Sequence, residues 1–280
     1  MPPATAQSDK STAKQPLASG GDGNRDDVRL APRPVAVVDI GTTSIRMAIA
    51  EIGVDEGEPS VRTLETLVQS LELGREVFGS RRISRKSTEK VVQVLRRYQQ
   101  VLAEYGVRVP EDVRVVATTA VREAQNQLQF ADRLWIATGF QVRPVDESEV
   151  NRITYNGVLP YLQADPQLND RKSIVVEVGG GNTEMLILRG GNVLHSQTVR
   201  LGALRLAQLV SAAGGSPQRK RMLMESHIRR MLEQLIHEIK FDSSVQMVAL
   251  GGDMRFAARQ IVEGWDGTSV AHVPTKRLDE

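Results

Sequence analysis

Two stretches of sequence decide the fold: Val35-Ala-Val-Val-Asp-Ile-Gly-Thr-Thr-Ser44, and later Ile174-Val-Val-Glu-Val-Gly-Gly-Gly-Asn-Thr-Glu184. Each is a short apolar run, then an acidic residue, then glycine, then hydroxyl or amide side chains ahead of a second apolar run. This order predicts a β-hairpin whose turn exposes backbone N–H groups beside a carboxylate. Such N–H groups form an anion site, and a nearby carboxylate can hold Mg²⁺. Two such turns facing each other would bind a phosphate chain together with its metal.

The chain around these hairpins alternates strands and helices in the same order in each half. In the first half, a strand over Val61–Ser70 and a helix capped by Ser87 or Thr88 follow the hairpin. A second long helix is predicted from Glu149 up to Pro160. Alternation of this kind indicates an α/β fold, here with two related lobes around a cleft. The boundaries predicted from it are a disordered tail over 1–33, a first lobe over 34–152 and a second lobe over 153–280.

Composition excludes several classes of protein. The 280 residues contain no cysteine, which excludes disulfides and thiolate catalysis. The formal net charge of +2 is too small to predict nucleic-acid binding, and no specific nucleic acid is expected. The N-terminus has no apolar h-region, so no signal peptide is expected. No apolar run approaches the roughly 18 residues that a membrane span needs, so a cytoplasmic protein without membrane contact is expected. Neither GxxxxGK[ST] nor GxSxG occurs, which argues against P-loop and serine-hydrolase sites.

Three further observations indicate anion chemistry. Three consecutive glycines, 179–181, are poor strand residues and favour close approach of a ligand to the backbone, although a purely structural turn is the alternative. The stretch 117–126 lies at a predicted strand-to-helix junction, where Arg122 can contact phosphate in a bidentate manner. An ordinary capping segment is the alternative there. Gly251-Gly252-Asp253 also ends a strand, which is the usual ligand position in α/β proteins.

Taken in order, these segments resemble the exopolyphosphatase/guanosine pentaphosphate phosphatase family over about residues 34–263. The matching segments are Asp39-Ile-Gly-Thr-Thr-Ser-Ile-Arg46, Leu73-Gly74, Ala117-Thr-Thr-Ala-Val-Arg-Glu-Ala-Gln-Asn126, Val178-Gly-Gly-Gly-Asn-Thr-Glu184, Leu201-Gly-Ala-Leu-Arg-Leu206 and Leu250-Gly-Gly-Asp253. The resemblance implies the actin-like ATPase fold, with two ribonuclease-H-like lobes around a cleft. It also implies Mg²⁺-dependent release of the terminal phosphate of polyphosphate, or of the 5′ phosphate of pppGpp.

The resemblance carries the family's functional residues onto matching positions. Polyphosphate or guanosine penta/tetraphosphate would be the partner molecule, and the oligomeric state is left open, with a homodimer as one option. The implied catalytic residues are Glu149 and Glu184; the implied metal ligands are Asp39, Glu177 and Glu184; the implied phosphate contacts are Gly41, Thr42, Thr43, Arg46, Arg122, Gly180, Gly181, Asn182 and Thr183.

The chain also departs from the family pattern. The family has Asp where Glu177 stands, Thr where Asp253 stands and Ser-Asn where Thr42-Thr43 stand. Its catalytic glutamate falls on Val150, so Glu149 could substitute only after a local backbone shift. The second lobe is short at its C-terminus, which predicts a fragment, a trimmed lobe or completion by a separate chain.

These departures keep two alternatives open. One is a non-catalytic sensor that binds polyphosphate or (p)ppGpp. The other is an ATP-using kinase of the same superfamily, against which the Ala-Thr-Thr-Ala-Val-Arg-Glu run argues.

Overall fold

The computed structural model describes residues 32–55, 58–238, 245–267 and 269–278. The predicted disordered tail lies outside these ranges up to residue 31. Within them the chain forms two mixed sheets, of five and four strands, with helices packed against both. The predicted α/β class is confirmed.

The first sheet has the strand order β3-β2-β1-β4-β5. Helices α2 and α4 pack side by side over it, and the core lies between them and the sheet. Its elements are β1 (Arg33–Ile40), β2 (Ser44–Asp55), β3 (Glu58–Ser70), α1 (Leu73–Ser80), α2 (Arg85–Glu104), β4 (Val113–Ala117), α3 (Thr119–Glu123), α4 (Gln127–Thr138) and β5 (Val142–Pro144).

The second sheet has the order β8-β7-β6-β9. Two smaller clusters of buried side chains lie against it. Its elements are α5 (Glu147–Ala164), α6 (Pro166–Asn169), β6 (Lys172–Val178), β7 (Thr183–Arg189), β8 (Asn192–Val199), α7 (Ala203–Ala212), α8 (Pro217–Glu238), β9 (Gln246–Leu250) and α9 (Gly252–Ile261); a short 3₁₀ turn spans Thr275–Leu278.

The two sheets repeat one topology, as the duplicated hairpins predict. In each lobe an antiparallel hairpin, β1–β2 or β6–β7, is extended by a third antiparallel strand. In each lobe the first strand of the hairpin also pairs in parallel with a later strand, β4 or β9. Asp39 pairs with Arg46 in the first hairpin, and Glu177 pairs with Glu184 in the second. These four positions are therefore equivalent between the lobes.

Two predicted helix boundaries differ from the structure. Helix α2 begins at Arg85 because Ser84, not Ser87, is its N-cap and accepts a hydrogen bond from Ser87 N at 3.1 Å. Helix α5 begins at Glu147 and continues through Pro160 to Ala164. The buried side chains on either side of Pro160, Val158 and Leu162, pack into the second lobe and outweigh the local cost of a proline in a helix.

Helix α1 was not predicted from the sequence. The predicted lobe boundary at residue 152 falls inside α5, so a single helix joins the two lobes. None of the helices in the described ranges combines the length and the apolar character needed to cross a membrane.

Candidate active site

The two glycine turns, residues 41–44 and 179–182, have the same geometry. Gly41 N donates to Ser44 O at 2.9 Å, and Gly179 N donates to Asn182 O at 2.9 Å. Asp39 and Glu177 each stand one residue before the end of the strand that enters the turn. The sequence similarity between the stretches is thus a similarity of backbone as well.

The carbonyl groups of both turns are held from behind by helix starts. In the first turn, Thr42 O accepts from Gly74 N at 2.9 Å and Thr43 O accepts from Leu71 N at 3.0 Å. In the second turn, Gly180 O accepts from Leu204 N at 2.9 Å and Arg205 Nε donates to Gly181 O at 2.8 Å.

Four backbone N–H groups of the turns have no acceptor among the described residues. Across the described part of the chain, no protein atom accepts a hydrogen bond from the backbone N–H of Thr42, Thr43, Gly180 or Gly181. Adjacent free N–H groups are what an anion site requires. Anion binding by the turns stays a prediction.

The glycines of the second turn are also needed for packing between the lobes. A Cβ added at Gly180 would lie 2.9 Å from Thr43 Cγ2, and one added at Gly181 would lie 2.8 Å from Thr119 Cγ2. Behind the turn, a Cβ at Gly202 would lie 2.3 Å from the carbonyl carbon of Gly181. The close approach that three consecutive glycines indicate is thus, at least in part, an approach of one lobe to the other.

The predicted carboxylates lie beside the turns and influence one another. Glu184 is buried, and its burial raises its pKa to about 7, with the negative charge of Glu177 adding to the rise and Arg122 opposing it. Burial likewise raises the pKa of Asp39; Arg46 opposes this rise and Glu177 adds to it. Glu177 is the common neighbour of both groups and accepts a hydrogen bond from Thr154 Oγ1 at 3.1 Å.

The predicted metal site would be formed by these carboxylates. Within the described ranges, no three side chains of His, Asp or Glu are close enough together to hold a metal ion by themselves. Asp39 Oδ1, however, is buried and has no hydrogen-bond partner there. An orphaned carboxylate oxygen suits a hard cation, and Mg²⁺ is commonly held by only one or two carboxylates with phosphate oxygens and water. The residues present fit such a site.

Arg122 connects the two lobes at the site. It projects from α3, where its Nη1 donates to Val145 O at 2.9 Å and its Nη2 donates to Glu147 Oε1 at 3.2 Å. The side-chain amide of Asn182 lies 3.3 Å from Thr119 Oγ1. In the amide orientation that satisfies both of its ends, Asn182 also accepts from Arg122 Nη2 at 3.3 Å. The guanidinium thus lies between the second glycine turn and the start of α5.

The start of α5 presents two glutamates in different ways. Glu149 is paired with Arg143, whose Nη2 lies 2.9 Å from each carboxylate oxygen. Glu147 pairs with Arg122 and contributes to the raised pKa of Glu184. Glu147 is therefore the glutamate of α5 that the structure connects to the carboxylate cluster, and it was missed from the sequence. The signal was present, because Asp146 is an N-cap that places Glu147 at the first position of the helix.

An ion-pair network holds the lobes together beside the turns, with Glu123 and Arg205 half-buried and Arg200 exposed. Glu123 of the first lobe pairs with Arg205 at 2.7 Å and with Arg200 at 2.8 Å, both from the second lobe. The Arg205 guanidinium also stacks over the Phe78 ring at 4.0 Å from its centroid. The Leu201–Leu206 motif and the 117–126 motif thus meet in this network.

The remaining predicted residues differ in their exposure. Arg46 and Thr43 are exposed, whereas Thr42 and Thr183 are buried, and Thr183 Oγ1 donates to Leu201 O. Asp253, which adds a negative charge relative to the family pattern, is exposed in the first turn of α9.

Comparison with known proteins matches the chain to one family. A family model described as the Ppx/GppA phosphatase family matches residues 52–264. Exopolyphosphatase 2 of Mycobacterium tuberculosis is 24% identical over 243 residues, which is 84% of this chain and 74% of that protein. A bifunctional 3-dehydroquinate synthase/phosphatase of Fusobacterium nucleatum is 21% identical over 251 residues. The match covers 88% of this chain but only 37% of the Fusobacterium protein.

Solved structures show the same fold. The Aquifex aeolicus PPX-GPPA enzyme superposes with a TM-score of 0.65 at 25% identity, covering 84% of this chain and 74% of that one. A Cytophaga hutchinsonii exopolyphosphatase superposes with a TM-score of 0.67 at 21% identity, covering 81% and 70%. The predicted duplicated, actin-like arrangement of lobes is therefore confirmed.

Proposed function

The chain belongs to the Ppx/GppA phosphatase family, and from that premise we propose that it releases terminal phosphate from inorganic polyphosphate, or the 5′ phosphate from pppGpp, with Mg²⁺. One observation carries the proposal: two equivalent glycine turns from two lobes offer free N–H groups next to Asp39, Glu177 and Glu184. Backbone N–H groups bind phosphate oxygens, and carboxylates bind the cation that accompanies them.

The residues of the site have separable tasks in such a reaction. The turn N–H groups and Arg122 bind and orient the phosphate chain. In the hydrolysis, a water oxygen forms a bond to the terminal phosphorus, the bond to the bridging oxygen breaks, and the leaving phosphate takes the electron pair. The reaction depends more on positioning and charge neutralisation than on covalent help from the protein.

Glu184 is suited to receive the proton of the attacking water. A pKa near 7 lets a carboxylate accept a proton in the transition state and release it again at neutral pH. Asp39, with its orphaned Oδ1, and Glu177 would hold Mg²⁺, which supplies charge neutralisation for the phosphate oxygens when bound. The predicted role of Glu149 as a catalytic residue stays a prediction.

The test is phosphate release from long-chain polyphosphate and from pppGpp, with and without Mg²⁺. Glu184→Gln should reduce release at least about a hundredfold, the lower range for general acid–base catalysis. A matched pair compares the two glutamates of α5: Glu147→Gln should lower release because Arg122 loses its partner, and Glu149→Gln reports the predicted catalytic role. No release from either substrate by the folded native protein would refute the hydrolase.

A second candidate is a non-catalytic sensor that binds polyphosphate or (p)ppGpp. The observation in its favour is that Val150 stands at the family's catalytic position, while the neighbouring Glu149 is held by Arg143. A sensor would bind the same ligands through the same turns without releasing phosphate. Tight binding without turnover would decide for it, and loss of turnover in Glu149→Gln would refute it.

A further inference from the structure

The connection between α1 and α2 carries a dense group of cations outside the active site. Arg81, Arg82, Arg85 and Lys86 fall within six residues, and all four side chains are exposed. In the described part of the chain none of them forms an ion pair, whereas the nearby Arg75 pairs with Glu72 at 2.7 Å. We call residues 81–86 the basic segment.

The position of two of these cations contradicts local helix electrostatics. Arg85 and Lys86 are the first two residues of α2, whose first turn contains no acidic residue. A helix N-terminus carries a partial positive charge, so cations there are unfavourable by some tenths of a kcal/mol each. Residues that break a local rule without a visible compensating contact are expected at functional sites.

The backbone of the basic segment is fixed rather than loose. Asn126 accepts from Ile83 N and donates to Ile83 O, both at 2.9 Å. Gln125 N donates to Arg81 O at 2.8 Å, and Arg81 has the left-handed φ of 61° that non-glycine residues seldom adopt. The last residues of the 117–126 motif thus serve to hold this segment in place.

The fixed segment borders a cavity of about 580 Å³. Its lining is polar and includes the side chains of Arg82, Arg85 and Asn126. One carboxylate, Glu76, also lines it, but its oxygens accept hydrogen bonds from Ser84 N, Ser84 Oγ and Ser87 Oγ at 2.8–2.9 Å. Glu76 is therefore committed to the helix start, and the exposed cations outnumber it.

We propose that the basic segment and its cavity form a second, non-catalytic binding site for the phosphate chain of inorganic polyphosphate. Its lining contains no aromatic side chain, and stacking on aromatic rings is how proteins hold single-stranded nucleic acid. A site with cationic side chains and no aromatic ring favours a chain of phosphates that carries no bases.

The location suits a long substrate. Helix α1 starts beside the first glycine turn, where Gly74 N donates to Thr42 O, and its eight residues span about 12 Å before the basic segment begins. A chain whose end occupies the turns could therefore reach the segment, whereas a short substrate could not. This inference rests on the proposed function for its choice of polyphosphate.

The test compares Arg82→Gln/Arg85→Gln with the control pair Arg97→Gln/Arg229→Gln, which removes the same charge from exposed helix positions elsewhere. Affinity for long-chain polyphosphate and for tripolyphosphate is measured without Mg²⁺ between about 50 and 200 mM salt. The segment variant should bind long chains about three- to tenfold more weakly and tripolyphosphate as well as the native protein does. Its salt slope should fall by about 1.4, as expected for two lost phosphate contacts.

The site would be overturned if the control pair weakened long-chain binding as much as the segment variant does. It would also be overturned if the segment variant lost as much affinity for tripolyphosphate as for long chains, or kept its native affinity for long chains. Preferential competition by single-stranded RNA would overturn it in favour of nucleic acid. A circular-dichroism melt confirms folding, and removing Arg85 from a helix start should not destabilise α2. Because binding is measured without turnover, failure of this site is distinguishable from absence of phosphate release.

Discussion

Glu184→Gln should stabilise the protein at alkaline pH while it abolishes phosphate release. Glu184 is buried, and its pKa is raised to about 7 from an ordinary value of 4.5 by burial first and by Glu177 second. The folded state therefore disfavours the charged form that the unfolded state readily adopts. Glutamine has nearly the same shape as a protonated glutamate and cannot ionise.

The sign and size follow from proton linkage. Between about pH 4.5 and 7 the folded protein binds more protons at Glu184 than the unfolded chain does, so stability falls as pH rises through this window. The rise in the pKa of Glu184 from 4.5 to about 7 corresponds to a loss of about 3 kcal/mol in the free energy of unfolding. We expect Glu184→Gln and native protein to be equally stable near pH 4.5 and to differ by up to about 3 kcal/mol above pH 7.5.

Urea unfolding in Mg²⁺-free buffer, followed by circular dichroism at a series of pH values, measures this difference. Glu233→Gln, at an exposed position of α8, removes the same charge and should leave the pH dependence unchanged. A difference in the free energy of unfolding that is the same at every pH would refute the raised pKa of Glu184. A variant that is less stable than the native protein at pH 8 would refute it as well.

Three further changes test the packing around the site by urea unfolding. Gly202→Ala places a Cβ against the backbone of the second glycine turn and should lower the free energy of unfolding by about 3 kcal/mol or more. Gly157→Ala, at an exposed position of α5 with open space around it, should raise the free energy of unfolding by about 0.5–1 kcal/mol. Equal effects of the two substitutions would contradict the close packing behind the turn. Glu123→Gln should cost about 1 kcal/mol and increase protease cleavage between the lobes, because an exposed and a half-buried arginine lose a common partner; unchanged cleavage would count against the network. Ser84→Ala should lower the free energy of unfolding by about 1 kcal/mol because α2 loses its N-cap, and Ser87→Ala should lower it by less. A larger effect of Ser87→Ala would support Ser87 as the N-cap.

Local chemistry made the hairpins predictable. Alternation of strands and helices, together with an acid–glycine turn after an apolar run, specified both glycine turns and the duplication. The network around Arg122 was harder to predict from the sequence, because its partners Val145, Glu147 and Asn182 come from three separate segments. Only the assignment of Arg122 to an anion site could be made from its position at a helix start.

The choice between Glu147 and Glu149 shows the limit of pattern matching. Both are glutamates in the first turn of one helix. Alignment on neighbouring residues placed the catalytic position on Val150, and Glu149 was chosen as the adjacent carboxylate. Residues two apart on a helix face different directions, so the N-cap at Asp146 sends one toward Arg122 and the other toward Arg143.

The pair of turns, their carboxylates and the α/β order could be predicted, since each depends on residues adjacent in the chain. Only the tertiary structure decided which charges meet: Glu177 beside Glu184 and Asp39, Arg122 beside Glu147, and Glu123 between two arginines of the other lobe. Burial sets the pKa of Glu184, and burial arises from packing between distant segments rather than from neighbours in sequence. For that reason the backbone of the turns could be predicted, while the protonation and pairing of the side chains beside them could not.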